Sequence, residues 1–253
     1  MFTTPILISI LLFISLAVFC FVVLRGVAAP RSGLFGPVVH RGVGVGGGKV
    51  ALTFDDGPDA QVTPRILDIL RDTGVSAAFF IIGGNCEGNE SLLRRIHDEG
   101  HVLGNHSFSH SHYGSLRWSE YWDDEFARTD AIINSEVGVS PVLFRPPMGL
   151  RNPRMMHSAR RRGYTTITWS CRGLDGVTTT AERILKRLLR DINDGSIIVL
   201  HDGTDPHGRR NSRATIDALP RLIEEVRQRG LEFVRLDRLI EVEPYLEADS
   251  AAD

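Results

Sequence analysis

Between Lys49 and Arg235 short apolar runs alternate with segments of helical period, and no other feature limits the fold as much. The strand-like runs are residues 49–54, 77–82, 101–103, 142–144, 164–169, 196–200 and 231–235. Between them, residues 64–73, 91–99, 119–136, 154–162, 179–192 and 215–229 carry helical patterns. Gly74, Gly100, Gly138, Gly163 and Gly230 mark helix ends. Glu182, three residues after Thr179, completes a capping box. Strand–helix alternation implies a parallel sheet covered by helices. Seven such units are one short of a full barrel. The expected fold is therefore α/β, a distorted or incomplete (β/α)7 barrel of parallel strands. Residues 49–240 are enough for one core of this kind.

Polar signatures follow five of the strands. Thr53-Phe54-Asp55-Asp56-Gly57-Pro58 closes the first, and His106-Ser107-Phe108-Ser109-His110 follows the third. Arg145-Pro146-Pro147-Met148-Gly149 follows the fourth, Asp175 the fifth, and Leu200-His201-Asp202 the sixth. In a parallel barrel these C-terminal strand ends converge on one face, where active sites form. The side chains are those of a mononuclear metal hydrolase with a separate base and acid. His106 and His110, with one carboxylate of the Asp55–Asp56 pair, make a two-His, one-Asp site suited to Zn, Fe, Co or Ni. Such a site leaves coordination positions open for water and substrate. The second carboxylate can take a proton from water whose pKa the ion lowers to roughly 7. Adjacent Asp residues before Gly-Pro are also ordinary turn chemistry, and only the neighbouring His pair gives the metal reading its weight. His201 at a strand end can protonate a leaving amine. Asp175 can hold its imidazolium, and Arg145 can keep Asp55 ionised.

These motifs resemble the polysaccharide deacetylase family, the NodB homology domain of carbohydrate esterase family 4, over about residues 49–237. The resemblance implies a distorted barrel that removes N-acetyl, sometimes O-acetyl, groups from sugars. It implies Asp55 as general base, oriented by Arg145, and His201 as general acid, partnered by Asp175. It implies Asp56, His106 and His110 as ligands of one divalent ion, Zn2+ with Co2+ or Ni2+ as alternatives. The backbone N–H of Met148 would hold the oxyanion, and Leu200 would wall a small pocket for the acetyl methyl. Two departures concern substrate. Met148 stands where family members often carry Tyr. Gly176 follows Asp175 where a Trp is usual, and Arg172 occupies the place of an earlier Asp. Arg172 adds a positive charge for an acidic or phosphate-bearing substrate, or for a surface carboxylate.

Residues 1–28 form a transmembrane anchor or an uncleaved signal. Ile6 to Leu24 carries no charge, and the run exceeds the roughly 7–15 residues of a signal-peptide core. Val27-Ala28-Ala29 offers small residues for cleavage, but Pro30 follows. Arg25, Arg31 and Arg41 lie after the apolar run, which by charge bias would keep the domain inside the cell. Long domains translocate regardless of such bias, and a cell-surface glycan requires the domain outside. Residues 29–48 read as a Gly-rich linker and 241–253 as an acidic tail. The net charge of −2 excludes a basic nucleic-acid-binding face. Cys86 and Cys171 either pair in an exported domain or stay as free thiols. Trp118, Tyr121 and Trp122 have the spacing of a buried helix face. The expected partners are an N-acetylated glycan and a membrane, with the chain a monomer. Two other readings stay open: a deacylase or deformylase of a lipid-linked amino sugar, and an inactive glycan-binding module.

Overall fold

The computed structural model describes residues 3–43, 46–114, 117–177, 179–203 and 213–246. His207, most of the polar segment 202–213 and the end of the acidic tail lie outside them. The strands are β1 (Lys49–Asp55), β2 (Ala77–Ile81), β3 (Val102–Asn105), β4 (Leu143–Phe144), β5 (Thr165–Thr166), β6 (Cys171–Arg172), β7 (Ile197–His201) and β8 (Glu232–Phe233). They lie in the order β5-β4-β3-β2-β1-β7-β6, and β8 pairs with the start of β1. All the pairings are parallel. The helices are α1 (Thr3–Ala28), α2 (Thr63–Thr73), α3 (Glu90–Asp98), α4 (Ser119–Val137), α5 (Pro153–Arg161), α6 (Ala181–Asp191), α7 (Arg213–Gln228) and α8 (Leu236–Ile240).

The central strands are apolar throughout because both faces are covered. Alternation sends Leu52, Phe54, Phe79 and Ile81 outward against Ile66, Leu67, Leu70 and Leu219 of the helices. Ala51, Ala78 and Phe80 point inward, where Leu236, Leu239 and Ile240 of α8 meet them. The small alanines on the inner face leave room for α8 inside the curve of the sheet.

Three details differ from the sequence reading. The strand expected over residues 164–169 stops at Thr166, and a separate strand, β6, follows it on the opposite edge of the sheet. Helix α8 has no counterpart among the expected elements. The cap of α6 is Thr180, whose hydroxyl accepts from Arg183 N, rather than Thr179.

Between β5 and β6 the sheet stays open, and the stretch expected to be a spacer crosses this gap. Val39 N donates to Thr166 O, and Thr168 N donates to Val39 O at 2.8 Å. Further along, Gly42 N donates to Gly195 O beside β7. An open edge leaves backbone donors and acceptors to be met, and residues 39–42 meet them here.

Helix α1 is long and apolar enough to cross a membrane by length and composition over Leu7–Ala28. Its apolar side chains are exposed, but its end is bonded to the barrel domain. Arg151 N donates to Val27 O at 3.0 Å. The Arg151 guanidinium donates to Gly26 O at 3.4 Å, to Pro30 O at 3.3 Å and to Ala29 O. The last carbonyls of a helix lack partners along the chain and carry partial negative charge. Arg151, only 1% exposed, supplies them with donors and a positive charge.

Candidate active site

Asp55 ends β1, and register places it beside Phe80 of β2 and His201 of β7. A carboxylate and an imidazole from distant parts of the chain therefore become neighbours on adjacent strands. Asp56 follows with φ of 73°, a left-handed conformation unusual for a residue with a side chain. Asn85 donates to its carbonyl at 2.7 Å. A Cβ on Gly203 would lie 2.0 Å from the same oxygen, so the close approach of the two loops requires glycine there.

His106 and His110 come from a loop after β3 rather than from a helix. Ser107 and His110 both have positive φ, at 68° and 48°. The loop is held by buried polar groups: Asn105 Oδ1 accepts from Ser107 N at 2.8 Å. Glu125 of α4 accepts from Phe108 N at 3.0 Å and from Ser109 N at 2.8 Å. The result brings His106 Nε2 to 3.3 Å and His110 Nε2 to 3.4 Å from Asp56 Oδ1. His106 Nδ1 lies 2.7 Å from the Arg145 carbonyl. Donation of Nδ1–H to that oxygen leaves the Nε2 lone pair facing the cluster. Burial opposes the ionisation of Asp56, but the adjoining His106, His201 and His110 keep its carboxyl well below the usual range. These three buried ligand atoms lie within 4.8 Å of one another and fit a single metal ion.

Asp55 is bound on its other side. Arg145 Nη1 donates to Asp55 Oδ1 at 2.6 Å and to Thr53 Oγ1 at 2.7 Å. Arg145 Nη2 donates to Thr168 O at 3.3 Å, and the guanidinium lies 4.1 Å over the Phe80 ring. Burial pulls the Arg145 pKa down while Asp55 pushes it up. The pair is a buried salt bridge whose arginine has no access to solvent.

The second pair is His201 and Asp175. Asp175 Oδ1 lies 2.9 Å from His201 Nδ1, and Asp175 Oδ2 accepts from His201 N at 2.9 Å. Thr215 of α7 donates to the same Oδ2 at 2.9 Å. Asp175 thus positions its histidine although Gly176 replaces the expected Trp.

All seven of these groups surround or support one cavity of about 320 Å³, which Asp55, Asp56, His106, His110 and His201 line directly. Met148, Trp169, Arg172, Leu174 and Val177 make its outer wall. Met148 sits in a tight turn with φ of 55° and is 41% exposed. Gly149 lies flat against the Trp169 ring, where a Cβ would come within 2.3 Å. Leu200 does not reach this cavity. Alternation along β7 turns Val199 and His201 to the cavity and buries Leu200 fully in the core between sheet and helices.

Trp169, Leu174 and Val177 line the cavity, and Asn105, Glu125 and Thr215 brace the groups around it, at positions to which the motifs give no role. The apolar Leu174 and Val177, flanking Asp175 in a polar loop, were the available signal. Asp202, the last residue of the Leu200-His201-Asp202 signature, is a polar core residue to which the sequence reading gives no role: burial, with Asp56 and Asp55 adding to it, raises its carboxyl to about 7. Thr63 donates to Asp202 Oδ2 at 2.7 Å. Cys86 and Cys171 are both free and buried, and burial pushes the Cys86 thiol up to about 12. Trp122 is core as expected, whereas Trp118 is 67% exposed beneath the Arg154 guanidinium.

An open parallel barrel that carries at its strand ends an Arg–Asp pair, a His–Asp pair and a two-His, one-Asp cluster holds the groups that a metal hydrolase uses. Comparison with known proteins specifies it. The polysaccharide deacetylase family model matches residues 43–167. A peptidoglycan-N-acetylglucosamine deacetylase of Bacillus cereus is 34% identical over 193 residues, covering 76% of this chain and 68% of the relative. A chitooligosaccharide deacetylase of a Bradyrhizobium strain is 32% identical, covering 76% of this chain and 90% of the relative. A solved peptidoglycan N-acetylglucosamine deacetylase superposes with a TM-score of 0.74 at 32% identity, covering 81% of this chain and 93% of that one. The chain belongs to the polysaccharide deacetylase family and is a glycan N-deacetylase.

Proposed function

We propose that the protein is a metal-dependent enzyme that removes N-acetyl groups from a cell-surface glycan: peptidoglycan, a chitin-like oligosaccharide or an exopolysaccharide. In this reading residues 1–28 anchor it in a membrane with the catalytic domain outside. The observation that carries the reading is the convergence of two carboxylate-tuned pairs, Asp55–Arg145 and His201–Asp175, on the cavity that holds the Asp56–His106–His110 cluster. The relatives named for peptidoglycan and chitooligosaccharide supply the substrate class.

Asp56, His106 and His110 would hold the ion, zinc first, with cobalt or nickel as substitutes. When bound, such an ion polarises the acyl carbonyl and lowers the pKa of water to about 7. Asp55 takes the proton of the attacking water, its lone pairs directed by the bond from Arg145. The Met148 N–H donates to the developing oxyanion, a role worth roughly 10²–10³ in rate. His201 then gives its proton to the departing amine, and Asp175 stabilises the imidazolium before that transfer. Trp169, Leu174 and Val177 form the apolar side of the cavity, against which a sugar ring and acetyl methyl can pack.

The test is acetate release from chitooligosaccharides and peptidoglycan after chelation and after return of Zn or Co, with Asp55→Asn as control. Release that returns with metal and is lost in the variant supports the reading. A metal-replete protein that frees no acetate from any acetylated glycan overturns it.

A further inference from the structure

A second cavity, of about 340 Å³, lies where α1 meets the barrel, and its lining includes Arg25, Pro30, Arg31, Trp169, Arg172 and Asp191. Trp169 and Arg172 also line the catalytic cavity, so one wall of side chains separates the two. The second cavity has an excess of positive charge. Asp191 receives two hydrogen bonds from Arg190, at 2.8 and 2.9 Å, which already meet its charge. Among the described residues Arg25, Arg31 and Arg172 make no ion pair. All three are exposed, and each guanidinium offers the forked donors that suit a phosphate.

The location gives this charge its meaning. Arg25 is in the last turn of the apolar helix, and Arg31 lies just beyond it. Arg151 fixes that helix end to the domain, so the arginines and the catalytic cavity keep a set relation. A lipid tail beside α1, a phosphate among the three arginines and a sugar beyond Trp169 would follow one continuous path.

We propose that this cleft receives the phosphate of a membrane-borne glycolipid whose N-acetylated sugar enters the adjoining catalytic cavity. The inference rests on the deacetylase reading above and names its substrate class, a saccharide joined to a lipid through a phosphodiester. The reaction is unchanged: the amide C–N bond breaks, water supplies oxygen to the acyl carbon and a proton to the amine, and the phosphate is untouched.

The experiment uses the full chain, metal-loaded, in nanodiscs of neutral lipid. One substrate is an N-acetylglucosamine oligomer joined to an alkyl chain by a phosphodiester; its twin carries the same chain on a neutral ether. The ratio of kcat/KM for the two is read from acetate release. We expect a preference of about tenfold or more for the phosphodiester, as charge-assisted bonds of this kind provide. Arg25→Gln with Arg31→Gln, both at exposed positions, is expected to collapse that ratio through KM. A ratio near one in the native chain, or a ratio that survives the double variant, overturns the inference while leaving the deacetylase standing. Loss of the preference when anionic phospholipid is added to the discs assigns the cleft to bulk headgroups and overturns it as well. Acetate from neither substrate overturns the deacetylase reading, and the inference with it.

Discussion

Arg145 and Arg151 lie on either side of the Met148 turn, and both are almost wholly buried. Burial lowers the pKa of each. Their surroundings differ. Arg145 faces a carboxylate, Asp55, and two neutral oxygens behind the wall of the catalytic cavity. Arg151 faces only backbone carbonyls of the α1 end, among the described residues. A buried guanidinium needs a source of negative potential, and a carboxylate and a helix C-terminus are two such sources. The first gives a charged pair that can direct a proton acceptor. The second gives a clamp between the apolar helix α1 and the catalytic domain.

Because their surroundings differ, the two sites should break in different ways. Arg145→Met is expected to show the largest effect. It leaves Asp55 buried without its partner, at about 3–5 kcal/mol of stability, and acetate release should fall by about 10²–10⁴-fold. Adding Asp55→Asn should recover stability in thermal unfolding but no activity; a double variant no more stable than the single one would show that the pair is not a coupled unit. Arg151→Met should cost less, about 1–3 kcal/mol for lost donors to carbonyls. Its turnover on a soluble oligosaccharide should stay within about twofold of the native value, a span of roughly 0.4 kcal/mol. A drop of the size seen with Arg145→Met would erase the distinction. Neither arginine changes charge in mild acid, so acid sensitivity must come from elsewhere. His101 is the candidate: burial lowers its pKa from 6.5 to about 4. The unfolded chain takes up that proton more readily, so the contribution of His101 to stability is full above pH 6.5 and is lost as pH falls towards about 4. Each pH step of one across that window costs on the order of 1.4 kcal/mol. His101→Gln should flatten unfolding midpoints measured across that window; an unchanged slope would move the titration to another group.

The parallel alternation and the strand-end motifs were legible because each rests on local pattern. Lys49 to Asp55 reads as a strand from its own residues, and Asp55 and Asp56 stand at its end. Other features were illegible because they are set by distant partners. Residues 171–172 become a strand only because β7 offers an edge. Residues 39–42 look like a glycine-rich spacer, but they are bonded across the open gap. Leu200 follows a motif correctly and still faces the core, because the period of two along β7 assigns the cavity to Val199 and His201. Trp169 shows the converse: no motif assigns it to the site, and its ring lines the catalytic cavity.

The clamp at Arg151 also bears on how this enzyme meets its substrate. With α1 seated in a bilayer, the mouth of the catalytic cavity keeps one height and one tilt above the surface. In the anchored reading proposed above the search would be planar, and encounter would depend on how many acetamido groups occupy a given area rather than on their bulk concentration. A KM measured on detergent-free oligomers in solution would have no direct counterpart on such a surface, where lateral diffusion and crowding of strands set the pace.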